Sequence, residues 1–254
     1  MRPLPAALFA AVVIFLLAGC SSHDRPIEAR LDRAERLLSH RRAAQARAEI
    51  EATIREKPSR SDTYRTAIGL YLKHERRPEA ASVIERFVDL ARAKKLDEKL
   101  SREDLARLHT VLGEIYQKNH LLLQAEDAYR AALVLSPDSA QLLNALAYFY
   151  AEEGVKLDEG LDLARRAVAL APNDGMIVDT LGWAEYKLGR YDAAVETLRR
   201  AVRLMPDDAT LRCHLGAAYA RLGRSAEARI ELGKALLLDR NTREAARLIK
   251  TLHR

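Results

Sequence analysis

Histidine and glutamate side chains can hold a metal ion for catalysis, so their spacing is the first test for an enzyme. His74-Glu75 begins a zinc-protease pattern, in which a second histidine must stand four residues after the first, but Pro78 occupies that place. The seven histidines are scattered, and no two of them stand at metal-ligand spacing beside a third ligand. No glycine-rich phosphate loop occurs either. We therefore predict no catalytic residues, no bound metal and no cofactor.

One of the two cysteines stands where its thiol could be acylated. Arg2 precedes an apolar run over residues 4–17, and the run ends in Leu17-Ala18-Gly19-Cys20. Such a run is short for a bilayer span and is typical of a signal peptide. The ending resembles the bacterial lipobox, which implies that residues 1–19 are removed and that the Cys20 thiol carries a fatty acyl chain. The alternative is an ordinary secretory signal in which Cys20 is incidental.

Composition favours a helical protein stabilised by packing. Hydrophobic residues make up 48% of the chain and charged residues 31%, and alanine, leucine, arginine and glutamate are abundant. The 42 basic residues are nearly balanced by 36 acidic ones, which argues against a nucleic-acid partner. Once Cys20 is acylated, Cys213 has no disulfide partner, and we expect it to be a small buried hydrophobic residue.

A period of 34 residues organises most of the chain, and its clearest unit is residues 175–208. The residues that identify this unit, here called its marks, are small, apolar or aromatic residues and one proline. They are Leu181, Gly182, Tyr186, Gly189, Tyr191, Ala194, Leu198, Ala201 and Pro206. Matching marks recur 34 residues later, and they recur earlier in two further units, of which residues 140–174 are one residue longer. Residues 27–94 keep fewer marks, so two degenerate units are predicted there.

These marks resemble the tetratricopeptide-repeat (TPR) consensus, in which each repeat is a pair of antiparallel helices, A and then B. The resemblance implies an all-α fold, a TPR α-α superhelical solenoid of about six helix-turn-helix repeats. Its predicted segments are a tether at 20–26, two degenerate repeats at 27–94, a charged spacer at 95–105, four repeats at 106–242 and a cap helix at 243–254. Ser101 with Asp104 indicates a capping box at the end of the spacer. Pro206-Asp207-Asp208 is expected to end one helix B and to offer an N-cap for the next helix A.

Helix A residues of the last three repeats are expected to line the concave groove, where such solenoids hold partner segments. The predicted partner-binding residues are Asn144, Tyr148, Asp179, Trp183, Tyr186, Lys187, His214 and Arg221. Tryptophan, tyrosine and arginine often anchor protein interfaces because they bury a large area and keep a polar group. The alternative is that Trp183 and Tyr148 fill space between adjacent A helices and that Asp179 pairs with His214 across a repeat boundary.

Some TPR domains grip a partner's terminal carboxylates with lysine and asparagine at fixed groove positions. This chain departs from that pattern, because the corresponding positions hold Thr110, Glu114, Asp179 and Trp183. A receptor for carboxylate tails is therefore not expected.

With a lipobox-like ending and TPR-like repeats, the chain is broadly similar to the pilotin lipoproteins of type IV pili. It is also broadly similar to lipoproteins that adapt cell-wall hydrolases. Ser21, rather than aspartate, follows Cys20, which implies the outer membrane, facing the periplasm. We predict an envelope scaffold or adaptor that holds a peptide or helix of a partner protein during assembly of a secretin, pilus or polysaccharide-export machine. The alternative is a regulatory adaptor that docks peptidoglycan hydrolases.

Overall fold

The computed structural model describes residues 25–252, and all regular structure in this range is α-helical. The predicted signal peptide, Cys20 and most of the predicted tether lie outside the described residues. The helices are α1 (Arg25–Ser39), α2 (Ala43–Glu56), α3 (Ser61–Lys73), α4 (Arg77–Arg92), α5 (Arg102–Lys118), α6 (Leu122–Leu135), α7 (Ala140–Glu153), α8 (Leu157–Leu170), α9 (Gly175–Lys187), α10 (Tyr191–Leu204), α11 (Ala209–Arg221), α12 (Ser225–Leu238) and α13 (Arg243–Thr251). The predicted all-α repeat fold is confirmed.

Local capping explains where several helices begin. The Ser101 side chain accepts a hydrogen bond from the Asp104 amide, and the Asp104 carboxylate accepts one from the Ser101 amide, so the predicted capping box is confirmed. Helix α5 therefore begins at Arg102, inside the segment expected to be a spacer. The turn Pro206-Asp207-Asp208 supplies an N-cap, as predicted. The cap is Asp208, which accepts hydrogen bonds from the amides of Thr210 and Leu211 at the start of α11.

The chain divides into two compact units, the first of which ends at Leu135. Within it, α1 packs on α2, α3 on α4 and α5 on α6. Its core includes Tyr64 stacked on Phe87, with ring centroids 5.1 Å apart. The segment before α5 is fixed to this unit, because Asp97 accepts hydrogen bonds from the amide and hydroxyl of Ser61.

The second unit, from Ser136 onward, contains three helical hairpins and a last helix. The pairs are α7 with α8, α9 with α10 and α11 with α12, and α13 packs on α11 and α12. Within the last two pairs the helices approach closely at a glycine of helix A. A methyl group on Gly182 would lie 2.6 Å from Leu198 Cγ, and one on Gly216 would lie 2.6 Å from Leu232 Cγ. The predicted role of small residues at this crossing is confirmed.

Neighbouring hairpins of the second unit are joined by repeated contacts. Helix α9 packs on both α7 and α11, so three A helices lie side by side. On helix B, Arg166 donates to the carbonyl oxygen of Pro137 at 3.3 Å, and Arg200 donates to that of Pro172 in the equivalent place. Each bond ties a B helix to the turn that ends the preceding repeat. Among residues 25–252, no helix is both long and apolar enough to cross a bilayer.

Candidate functional site

The eight predicted partner-binding residues lie on the three adjacent A helices of the second unit. The repeat places equivalent residues in register across α7, α9 and α11. One row contains Asn144, Asp179 and Cys213, a second contains Tyr148 and Trp183, and a third contains Glu152, Lys187 and Arg221. Because residues four apart share a helix face, these rows form one continuous surface.

A buried ion pair joins the floor of this surface between α9 and α11. His214 Nδ1 donates to both carboxylate oxygens of Asp179, at 2.9 and 3.1 Å. Only 8% of His214 and 2% of Asp179 are exposed. Burial by itself lowers the pKa of the imidazole, but the charge and hydrogen bond of Asp179, with Glu152 and Asp208, raise it above the ordinary 6.5. The pair therefore favours the charged imidazolium and holds the two helices together.

Trp183 is the centre of an aromatic stack that covers this ion pair. One face of its indole stacks on Tyr186, with centroids 4.7 Å apart, and it also stacks on His214, with centroids 4.1 Å apart. Both stacks are nearly parallel, at 5° and 12°. The indole Nε1 donates to Glu152 Oε1 at 2.7 Å, which links α9 to α7. The Trp183 ring is thus fixed in orientation, and stacking within the chain covers much of its aromatic surface.

Two cations stand beside the stack. Lys187 Nζ lies 5.5 Å from the centroid of Trp183 and donates to the backbone oxygen of Glu152 at 3.2 Å. Arg221 is exposed, and its guanidinium carbon lies 4.6 Å from the centroid of Tyr191. Tyr191 in turn packs at an angle against Tyr186, with centroids 5.5 Å apart. The rim of the site is therefore positively charged and aromatic.

Asn144 and Tyr148 occupy the α7 side of the surface, on the same face as Glu152. Tyr148 is partly buried, and Asn144 is buried with 8% of its surface exposed. No described residue donates a hydrogen bond to Asn144 Oδ1, which is itself buried. Five of the predicted residues thus form one cluster, namely Asp179, Trp183, Tyr186, Lys187 and His214. Arg221 lies against Tyr191, and α7 carries a hydrogen-bond acceptor that no described residue satisfies.

Sequence reasoning missed two members of this site. Glu152 accepts the indole hydrogen bond, and Tyr191 joins Arg221 to the stack. Glu152 could have been found from the repeat register, because it is equivalent to Lys187 and Arg221. Tyr191 is the first residue of a helix B, whereas the predicted groove residues were all on A helices. The alternative prediction that Asp179 pairs with His214 across a repeat boundary agrees with the structure.

The buried polar groups of the site join the helices that carry them. Within residues 25–252, no group of three or more histidine, cysteine, aspartate or glutamate side chains could hold a metal ion. The Asp179–His214 pair is buried under Trp183, where it stabilises the helix packing. Cys213 is also buried, as expected for a small hydrophobic residue.

Comparisons with known proteins agree with this architecture. Family models described as TPR repeat or tetratricopeptide repeat match residues 110–175, 182–223 and 209–242. A curated relative from Pseudomonas aeruginosa, TPR repeat-containing protein PA4667, is 35% identical over 88 residues, which is 35% of this chain and 15% of that protein. The chain thus spans only a small part of that relative's length. These matches show that the chain contains tetratricopeptide repeats.

Several solved structures have folds similar to that of this chain. The Cut9–Hcn1 hetero-tetramer of the APC/C aligns with 98% of this chain and 46% of its own, at a TM-score of 0.64 and 17% identity. YrrB, described as a TPR protein with an unusual peptide-binding site, aligns with 79% of this chain and 97% of its own, at a TM-score of 0.54 and 18% identity. A structure of MamA aligns with 71% of this chain and 92% of its own, at a TM-score of 0.53 and 18% identity. At these identities the likeness is one of fold.

Proposed function

We propose that this protein is a lipid-anchored adaptor of the bacterial envelope that binds a segment of a partner protein along α7, α9 and α11. The observation that carries the proposal is the cluster of Tyr186, Trp183 and His214 with its cationic rim. The TPR scaffold is suited to protein–protein interaction, and YrrB, a structure of the same fold, is described as having a peptide-binding site.

The rigidity of this surface favours binding of an extended or helical segment. The indole is fixed by Glu152 and by two ring contacts, so little side-chain entropy remains to be lost when a partner arrives. Because stacking within the chain occupies the Trp183 ring, a partner meets ring edges together with Lys187 and Arg221. A segment that carries carboxylates beside apolar side chains suits such a rim.

The envelope location rests on the lipobox-like ending at Cys20. A cleaved signal and an acylated Cys20 would anchor the chain in the outer membrane, with its repeats in the periplasm. In that position the adaptor would assist assembly of a secretin, pilus or polysaccharide-export machine.

Charge reversal at the rim tests the binding site. We expect the full chain carrying Lys187→Glu and Arg221→Glu to capture at least tenfold less partner, because a carboxylate-bearing segment would then meet two like charges. Affinity purification from membranes in mild detergent, with captured proteins quantified against wild type, gives the measurement. This pair leaves Trp183 in place, whose ring contacts His214 on α11.

The matched control is Arg165→Glu with Arg203→Glu, which makes the same change of net charge on exposed positions of α8 and α10. This control should retain the partner, and both variants should melt with wild-type cooperativity. In the same preparation, Cys20→Ala should abolish labelling by a fatty-acid probe. Undiminished capture by the rim variant would contradict the binding site, and undiminished labelling of Cys20→Ala would contradict the anchor.

A further inference from the structure

The segment that joins α4 to α5 in the first unit, residues 94–102, is unusually basic. It exposes four cations that form no ion pair with another described residue, namely Lys94, Lys95, Lys99 and Arg102. The turns that join repeats in the second unit differ, because residues 136–139, 171–174 and 205–208 contain aspartate and no lysine or arginine. The positive excess of the described chain also lies in the first unit. Residues 25–135 contain 23 basic and 18 acidic residues, whereas residues 136–252 contain 17 of each.

The acidic residues of this segment and of the start of α5 are occupied by partners within the first unit. Asp97 accepts hydrogen bonds from the amide and hydroxyl of Ser61. Glu98 forms an ion pair with Arg65 on α3. Glu103 forms an ion pair one turn further along α5, and the next acidic residue is part of the capping box. The four cations are therefore left without a neighbouring acidic partner, and the segment presents positive charge to its surroundings.

The segment lies at the edge of the first unit where α1 begins. Arg30, near the start of α1, pairs with Glu56 at the end of α2, at 2.5 Å. The turn that follows α2 then contacts the segment, because the amide of Asp97 donates to the carbonyl oxygen of Ser59 at 2.8 Å. The start of α1, the α2–α3 turn and residues 94–102 are thus neighbours along one edge.

This edge is also the one that an acylated Cys20 would bring to a membrane. Arg25, the first residue of α1, is five residues after Cys20, so covalent geometry holds it within about 18 Å of the anchor. The turn after α1 is a helix length away, which for 15 residues is about 22 Å. Exposed charges act on one another over only about 8–10 Å at physiological salt. The cations nearest the anchored end are therefore the ones placed to meet lipid phosphates.

We propose that residues 94–102 contact the anionic phospholipid headgroups of the membrane that holds Cys20, an inference that rests on the lipid anchor proposed above. Basic residues close to an anionic bilayer each raise membrane partition roughly fivefold, and a basic patch is a recognised second attachment beside an acyl chain. The contact orients the first unit, with the starts of α1, α3 and α5 toward the bilayer.

Fluorescence quenching by labelled headgroups in reconstituted vesicles tests this contact. The full chain, produced with its signal peptide and purified in mild detergent, carries a dye at Ala93→Cys, an exposed position beside the segment. An acylated Cys20 has no free thiol and Cys213 is buried, and the chain without an added cysteine sets the dye background. A nitroxide on the phosphatidylcholine headgroup should quench the dye about twofold more in vesicles that contain phosphatidylglycerol than in vesicles of phosphatidylcholine alone.

A dye at the opposite edge is the matched control for position. Ser39→Cys is exposed at the end of α1, a helix length from Arg25. The two vesicle compositions should quench this dye equally, because the headgroup contact holds the other edge of the unit against the bilayer.

Charge reversal then tests the segment itself, with the dye at position 93. The segment variant should lose the additional quenching that phosphatidylglycerol produces, and it is Lys95→Glu with Lys99→Glu and Arg102→Glu. The control variant makes the same change of net charge on exposed residues at the end of α1 and the start of α2 and should keep the additional quenching. It is Arg36→Glu with Arg42→Glu and Arg47→Glu.

Flotation of the same vesicles separates failure of this contact from failure of the anchor. A chain that floats with both compositions but shows equal quenching at position 93 would overturn the contact and leave the anchor standing. Equal losses from the two charge variants would do the same. A chain that does not float with phosphatidylcholine vesicles would contradict the anchor. In that case, flotation with phosphatidylglycerol that the segment variant loses would still support the contact, and flotation with neither composition would overturn it.

Discussion

At the scale of single residues, the structure buries ionisable groups in two contrasting ways. Asp179 and His214 are buried as an ion pair with two hydrogen-bond contacts, which is the arrangement that makes a buried charge tolerable. Glu114, in the first unit, is also buried, with 6% of its surface exposed. Burial raises the pKa of its carboxyl from 4.5 to about 7, although the charges of Lys118 and Arg77 act in the opposite direction.

The raised pKa of Glu114 predicts a pH-dependent gain of stability for Glu114→Gln. Between pH 4.5 and about 7 the folded chain holds a proton that the unfolded chain releases, so the free energy of unfolding falls as the pH rises. At about 1.4 kcal/mol per pKa unit, the rise from 4.5 to about 7 should make the glutamine variant more stable than wild type by about 3 kcal/mol at pH 8. At pH 4 the two should be nearly equal.

Urea denaturation of the purified chain at both pH values measures this difference. Glu103→Gln, at an exposed position on the same helix, is the control and should change little at either pH. A Glu114→Gln variant that is no more stable than wild type at pH 8 would show that the carboxyl is not held in a desolvated site.

At the scale of helices, the sequence predicted which helices pair better than it predicted which side chains contact one another. The 34-residue period and the caps at Ser101 and Asp208 depend on local chemistry, and the structure agrees with them. The period also shows which residues share a face, and so it brought Asp179 and Trp183 into one candidate site. It does not show side-chain partners, because the bond from Trp183 to Glu152 depends on the rotamers of two helices. For the same reason the extent to which stacking covers Trp183 was not predicted.

Replacement of glycine by alanine should have opposite effects on stability at positions 182 and 233. Gly182→Ala should destabilise the chain by about 1–3 kcal/mol, because the new methyl would lie 2.6 Å from Leu198 Cγ and 3.2 Å from the Leu198 nitrogen. Gly233→Ala should stabilise it by up to about 1 kcal/mol, since its site is open and alanine favours a helix. Chemical denaturation of both variants beside wild type gives the comparison. Equal shifts of the two midpoints would contradict the packing at the A–B crossing.

At the scale of the whole molecule, the proposed partner site lies in the second unit, on the A helices α7, α9 and α11. The family models match residues 110–175, 182–223 and 209–242, so they cover most of these three helices.

Site-specific photo-cross-linking from Tyr148 is the most direct test of the central claim that this surface binds a partner protein. A photoreactive phenylalanine at this partly buried position of α7 should, in cells producing the full chain, form a product with one discrete partner of the envelope. The same probe at Arg203, on the outer face of α10, should not form that product, and Lys187→Glu with Arg221→Glu should abolish it. No product from position 148, or the same product from position 203, would contradict the claim.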